Sequence, residues 1–175
     1  MRVMKTAGLL ALVLMMTCSG CADEPEAEAA RMSVETSRTH VQTAVKEVAD
    51  LLSSAGPQIS EATGKWRVCS AEPVASWQYS AGGAVTSAQA ASVQAASVTN
   101  AVAAIAEVLQ GSGWVVETEG TDPEPYANLE KDGLRLALGE SRRDPGLVAL
   151  GVKDECIDTT SEQDSLLGEE DRILG

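Results

Sequence analysis

Two short apolar segments separated by Asp132-Gly133 place the strongest constraint on the fold of this chain. Asp-Gly is typical of the two-residue turn that closes an antiparallel hairpin. With that turn, Leu129 pairs with Leu136, and Ala127 pairs with Leu138. The apolar face then holds Ala127, Leu129, Leu134, Leu136 and Leu138, while Asn128, Glu130, Arg135 and Ala137 lie on the other. The sequence therefore predicts an antiparallel sheet with one buried face.

Two segments have the apolar periodicity of an amphipathic helix. Residues 37–54 end before Gly56-Pro57, a strong stop signal, and residues 87–110 end before residues 111–113, Gly-Ser-Gly. The first stripe consists of Val41, Ala44, Val45, Val48, Leu51 and Leu52. The second consists of Val98, Val102, Ile105 and Leu109, with Ala101 and Val108 beside it.

The remaining β-like segments are residues 66–70, 76–80, 114–119 and 147–153, and Gly82-Gly83 indicates a bend. Helices and strands are mostly segregated along the chain, which is typical of the α+β class. We therefore expect a two-layer domain over residues 31–157. It would have an antiparallel sheet of about five strands and two helices on one face.

The first twenty residues are typical of an export signal. Arg2 and Lys5 precede an apolar run at residues 7–16, which is too short to span a membrane as a helix. The stretch Cys18-Ser19-Gly20-Cys21 resembles a bacterial lipobox, although Cys18 stands where Leu is usual. The resemblance implies that Cys21 is diacylated with palmitate-like chains, becomes the first mature residue and anchors the protein outside the cytoplasmic membrane. The alternative is a plain secretory signal cleaved near Ala22.

Two further cysteines, Cys69 and Cys156, remain after the leader and Cys21 are set aside. In an exported chain such a pair predicts a disulfide. Closing a loop of this length contributes about 4.5 kcal/mol in the chain-entropy model. A catalytic or metal-binding thiol is the alternative, but the spacing matches no zinc pattern. The bond also predicts that the last strand lies beside the first, with the central hairpin beyond it.

The formal net charge is −13, and it becomes −15 once Arg2 and Lys5 leave with residues 1–20. Such an acidic balance argues against a nucleic acid or an anionic membrane surface as partner. Much of the acidity lies in an expected tether at residues 21–30 and an expected mobile tail at residues 158–175. A short docking helix in the tail is the alternative.

A search for reactive groups finds no catalytic constellation, no metal site and no cofactor motif. The single histidine, His40, has no nucleophile or orienting acid marked near it in sequence. Carboxylates cluster at Glu117, Glu119, Asp122 and Glu124, but their spacing is not that of a calcium loop, so a solvated loop is expected. Arg142-Arg143 forms a local positive spot, which we expect to pair with Glu140 or Asp144 or to bind an anion.

All five aromatic residues fall in the predicted β region, where core packing explains them. Exposure of Trp77 together with Tyr79 would instead favour a platform for a sugar or a protein partner.

The chain resembles small uncharacterised lipoproteins of high-GC Gram-positive (actinobacterial) type. The features that carry the resemblance are Ser19-Gly20-Cys21, the Trp66-x-x-Cys69 spacing, Gly113-Trp114 and the closing Cys156. The resemblance implies a cell-envelope location and a disulfide-tied α+β domain. We expect a non-enzymatic binding or interaction module with an envelope protein as a partner candidate. A carboxylate-dependent envelope hydrolase and a small-ligand carrier are the alternatives.

Overall fold

The structure is a computed structural model, and it describes residues 24–71, 75–87, 97–159, 168 and 170–175. The side chains of residues 24–32 and 87 are not described. The expected export signal and Cys21 therefore lie outside the described residues, as does half of the expected acidic tail.

Helix α1 spans Glu24–Ala55, and helix α2 spans Val98–Gln110. The predicted stripe of α1 is buried apart from the half-buried Leu51, and α2 buries Val102, Ile105 and Leu109. Gly56, with φ of 111°, ends α1 before Pro57. The helix begins at Glu24, so part of the expected tether is helical, because its Ala and Glu residues favour helix.

The described residues form one sheet of eight strands, which are β1 (Pro57–Ser70), β2 (Ser76–Ser87), β3 (Val115–Gly120), β4 (Tyr126–Lys131), β5 (Leu134–Glu140), β6 (Val148–Lys153), β7 (Ile157–Asp158) and β8 (Asp171–Leu174). All neighbouring strands pair antiparallel, in the order β3-β4-β5-β6-β2-β1-β8, and β7 pairs with β2 outside this path.

The hairpin of β4 and β5 has the predicted register. Leu129 pairs with Leu136 and Ala127 with Leu138, and the turn residues Asp132 and Gly133 have φ of 52° and 80°. Positive φ at both turn residues is what a type I′ turn requires. The predicted apolar face is buried throughout.

The α+β class with two helices is confirmed, but the expected sheet of about five strands is too small. Strands β1 and β2 form a long hairpin that continues through Gly82-Gly83, where the sequence predicts a bend. A Cβ on Gly83 would lie 2.0 Å from the Glu61 carbonyl oxygen. Because they lack a Cβ, these glycines allow the β2 backbone to lie close to β1 and β6. They lie beside the register shift in β1 between Ile59 and Ala62.

The predicted disulfide between Cys69 and Cys156 is confirmed. The expected pairing of the last predicted strand with the first is wrong, because β6 pairs with β2 rather than with β1. Cys156 lies beyond the end of β6, where the chain turns to form β7 against β2. The disulfide therefore spans from β1 across β2. The central hairpin does lie beyond β6, as predicted.

The expectation of a mobile acidic tail is wrong for its last residues. Strand β8 pairs with β1, with Gly64 opposite Asp171 and Thr63 opposite Arg172. Ile173 and Leu174 pack against the core. These apolar side chains become partly buried at the free edge of β1, which is a non-local contact that composition does not reveal.

Both helices lie on one face of the sheet and enclose the core. Every buried apolar residue of β1, β2, β4, β5 and β6 lies on this face, and Leu52, Leu109, Leu129 and Val152 are among its fully buried members. Within the described part of the chain, neither helix is long and apolar enough to cross a membrane.

Candidate functional site

No helix of the described residues lies on the opposite face of the sheet, and we call it the open face. Its residues form rows of direct register partners across the strands. One row contains Thr63, Gly82, Gly151, Ala137, Asn128 and Thr118, and another contains Ala84, Ala149, Gly139 and Tyr126. None of these side chains is buried, whereas the residues alternating with them on β5 and β6 form the core.

A third row of the open face contains three cations, and we call it the cationic row. Lys65 pairs with Ser80, Ser80 with Lys153, and Lys153 with Arg135. Arg135 in turn pairs with Glu130. Register partners on an antiparallel sheet project to the same side. The side chains of this row are therefore neighbours from one strand to the next.

The cations of the row form no ion pairs with described carboxylates. Among the residues that the structure describes, no carboxylate lies within 4.0 Å of a charged nitrogen of Lys65, Lys153 or Arg135. A fourth cation, Arg67, follows Lys65 on the same side of β1, and its Nε donates a 3.2 Å hydrogen bond to the Ser80 hydroxyl. Ser80 thus holds one cation of the group in place.

Two grooves lie beside the cationic row. One, of about 290 Å³, is lined by Lys65, Arg67, Ser80, Gly82, Gly151 and Glu170, among others. The second, of about 760 Å³, continues along β2 and β6 toward the loop between β5 and β6, where Arg143 and Asp144 line it. Gly82, Ala84, Ala149 and Gly151 lie on β2 and β6 beside these grooves. The middle of the open face therefore has only small residues.

The acidic net charge does not describe the open face. Its described strands carry five cations, which are the three of the cationic row, Arg67, and Arg172 opposite Thr63. Glu130 and Glu170 lie beside the cationic row, and Glu61 and Asp144 line the larger groove. The described side chains of α1 and α2 carry the acids Glu35, Glu47, Asp50 and Glu107 against the bases Arg38 and Lys46. Net charge indicates a partner only where charges are evenly distributed, whereas in this fold four cations lie close together on the open face.

A cluster of polar side chains joins α1 and β2 to β8. Tyr79 is fully buried, and its hydroxyl donates a 2.6 Å hydrogen bond to Asp171 Oδ2. From α1, Gln42 donates hydrogen bonds to the Tyr79 hydroxyl and to the Asp171 carboxylate, at 3.2 and 3.3 Å. Arg38 lies 3.4 Å from the same carboxylate oxygen. The Trp66 ring packs edge-on against Tyr79 with 5.2 Å between centroids.

This cluster is suited to structure rather than to catalysis. Burial raises the pKa of the Tyr79 hydroxyl, and the hydrogen bond to the Asp171 carboxylate acts in the same direction. A general base or nucleophile needs its pKa near the operating pH, so this shift moves Tyr79 away from such a role. The platform hypothesis for Trp77 and Tyr79 is also wrong, because Tyr79 is buried and Trp77 packs against the core.

The remaining candidates from the sequence lie apart from one another. His40 Nδ1 is 3.4 Å from Asp154 Oδ2, which joins α1 to the segment after β6. Glu117 and Glu119 lie exposed on the edge strand β3, and Asp122 and Glu124 lie exposed after it. The described residues contain no cluster of histidine, cysteine or acidic side chains that could hold a metal ion.

The expected ion pair of Arg142 or Arg143 with Glu140 or Asp144 is not present among the described residues. Instead, Glu140 accepts a hydrogen bond from the Gly146 amide, and Asp144 donates its amide to the Ser141 hydroxyl. These contacts shape the loop, and Arg143 lines the larger groove.

Sequence reasoning did not find the cationic row, although each member was visible. Lys65 and Arg67 alternate with the buried Trp66, which is a local signal of a polar strand face. Their proximity to Lys153 and Arg135 depends on β2 pairing with β6, a contact between residues far apart in sequence. No protein-family model matches the chain, and no curated protein or solved structure is significantly similar to it.

Proposed function

We propose that this protein is an exported lipoprotein of actinobacterial type that acts as a non-enzymatic binding module. In this proposal Cys21 is diacylated and holds the domain at the outer face of the cytoplasmic membrane. The leader and the Cys18-Ser19-Gly20-Cys21 stretch support the location. The Cys69–Cys156 disulfide supports it further, because such bonds persist in oxidising compartments.

The uncovered sheet face is the observation that carries the binding role. Sheets of two-layer α+β domains bury one face against helices, and here the other face presents a low floor of small residues bordered by cations. Among the small residues of this face, Ala137 is exposed and Gly82 and Gly151 are half-buried, and no described helix covers them. An envelope component would bind to the open face, on the side of the sheet opposite α1.

Both alternative functions have less support from the geometry. A carboxylate-dependent hydrolase needs two acids facing each other across a cleft. Glu117 and Glu119 instead lie on the exposed edge strand β3 and line neither described groove. A carrier needs apolar space between sheet and helices, where Leu52, Leu109 and other fully buried side chains pack.

Site-specific photo-crosslinking in intact cells tests the binding role. A photoreactive amino acid at Ala137 samples the open face, and one at Glu47 on α1 samples the helix layer as a matched exposed control. We expect a discrete, saturable adduct with one envelope component from position 137 and none from position 47. Equal labelling from both positions, or none from position 137, would contradict the proposal.

A further inference from the structure

We infer that the open face binds a phosphate-bearing polyanion that lies across the strands along the cationic row. This inference rests on the proposed function, because it names the ligand class of the same face. The residues that carry it are Lys65, Lys153 and Arg135, with Arg67 beside them.

The geometry of the row suits a chain rather than a single small anion. Neighbouring strands lie about 5 Å apart, so Lys65 and Arg135, three strand intervals apart, are separated by roughly 15 Å at their backbones. One phosphate group cannot contact cations spread over this length. A linear polyanion can contact each in turn, with lysines acting as point charges and arginines as two-pronged donors.

The charge distribution of the domain favours the same ligand and orients it. The acidic helix layer repels a polyanion, while the opposite face attracts it, so encounter is directed to the open face. Two acids lie beside the ends of the row. Glu130 follows Arg135, and Glu170 lines the groove next to Lys65 and Arg67. In the middle of the row, no described carboxylate lies within 4.0 Å of the Lys153 ammonium.

The row next to the cations lets a chain approach the sheet closely. Gly82 and Gly151 are register partners in this neighbouring row. A Cβ on Gly151 would meet no atom within 4 Å, so the space above it is open. The side chains of Lys65 and Lys153 therefore border a trough rather than a packed surface.

Binding of long-chain inorganic polyphosphate tests the inference. The full mature chain, purified in a non-ionic detergent, is titrated with polyphosphate at several salt concentrations, with dextran as a neutral polymer. The variant Lys65→Gln/Lys153→Gln removes two row cations. The control Lys46→Gln/Arg142→Gln removes two exposed cations outside the row, and thermal unfolding verifies that both variants fold.

We expect the row variant to bind about tenfold more weakly than the unmodified chain at 0.1 M salt. Its slope of log affinity against log salt should fall by about 1–2, since fewer counterions are released. The control variant should stay within about twofold of the unmodified chain. Equal losses in both variants, or no binding by the unmodified chain, would overturn the inference.

Other occupants of the face give distinct results. If the occupant is a second copy, the unmodified chain self-associates in sedimentation and the row variant does not, while polyphosphate has no effect. If it is a lipid surface, vesicles of 30% phosphatidylglycerol bind and polyphosphate does not. Either result overturns the inference. An adduct from position 137 in cells would then still support the proposed function, so the two failures are distinguishable.

Discussion

The hydroxyl of Tyr79 reaches Asp171 across an intervening strand and ties the end of the chain to the centre of the sheet. Tyr79 belongs to β2, Asp171 to β8, and β1 lies between them. Gly64, the register partner of Asp171 on β1, has no side chain to block the way, since a Cβ there would lie within 2.2 Å of the Tyr79 hydroxyl. The position of β8 therefore depends on one glycine and one tyrosine.

Removing the hydroxyl should weaken the fold without changing its shape. Tyr79→Phe deletes the 2.6 Å hydrogen bond and leaves the Asp171 carboxylate with Gln42 and Arg38. We expect the free energy of unfolding in urea to fall by about 1–3 kcal/mol. The control Tyr126→Phe, at a residue that is 38% exposed, should change it by less than about 0.5 kcal/mol. Equal effects would contradict the assigned role of Tyr79.

The same hydroxyl should give stability an alkaline limit. Its pKa is raised in the folded state by burial, so the folded chain keeps a proton that the unfolded chain releases above about pH 10. The unfolded state then binds fewer protons, and the free energy of unfolding decreases as pH rises, by up to about 1.4 kcal/mol per pH unit. Below about pH 10 this contribution is fully present.

Urea unfolding from pH 8 to pH 11.5 measures this effect. Comparing Tyr126→Phe with Tyr79→Phe/Tyr126→Phe isolates Tyr79, because the chain has two tyrosines. We expect the stability difference between the two variants to be constant below about pH 10 and to shrink above it. A difference that stays constant across the whole range would show that Tyr79 ionises alike in both states.

Substitution by alanine should destabilise the fold at Gly64 but not at Gly151. Gly64→Ala places a methyl group against the Tyr79 ring and hydroxyl, whereas Gly151→Ala meets nothing within 4 Å. We expect a loss of about 1–3 kcal/mol for Gly64→Ala and no loss for Gly151→Ala in urea unfolding. Comparable losses at both positions would mean that the contact of Tyr79 with Asp171 across β1 does not depend on Gly64.

The disulfide should contribute strongly to stability. The double variant Cys69→Ser/Cys156→Ser should lower the free energy of unfolding by about 2–5 kcal/mol. Peptide mapping without reductant should recover the two cysteines in one linked fragment. Two free thiols in the denatured native protein would contradict the bond.

Local sequence patterns predicted the parts of the fold that local physics decides. The turn Asp132-Gly133 requires positive φ, and the alternating leucines around it admit one register, so the β4–β5 hairpin was predictable residue by residue. The helix stripes were predictable for the same reason, since a period of 3.6 places Val41, Val45 and Val48 on one side.

Non-local pairing explains what the sequence did not reveal. Whether β6 meets β1 or β2 depends on packing of the whole sheet, and both arrangements allow Cys69 to reach Cys156. Strand β8 has four residues and no distinctive alternation, and its place depends on the cluster at Tyr79. The cationic row likewise exists only once four strands are aligned, so no spacing rule along the chain could indicate it.

The proposed role at the cell envelope requires that the chain is exported and anchored through Cys21. The intact mass of the protein extracted from membranes of the native host tests this directly. We predict a chain of 155 residues that begins at Cys21, carries at least a diacylglyceryl group on that cysteine and holds one disulfide. A mass that corresponds to an unacylated chain, or to one that retains residues 1–20, would contradict it.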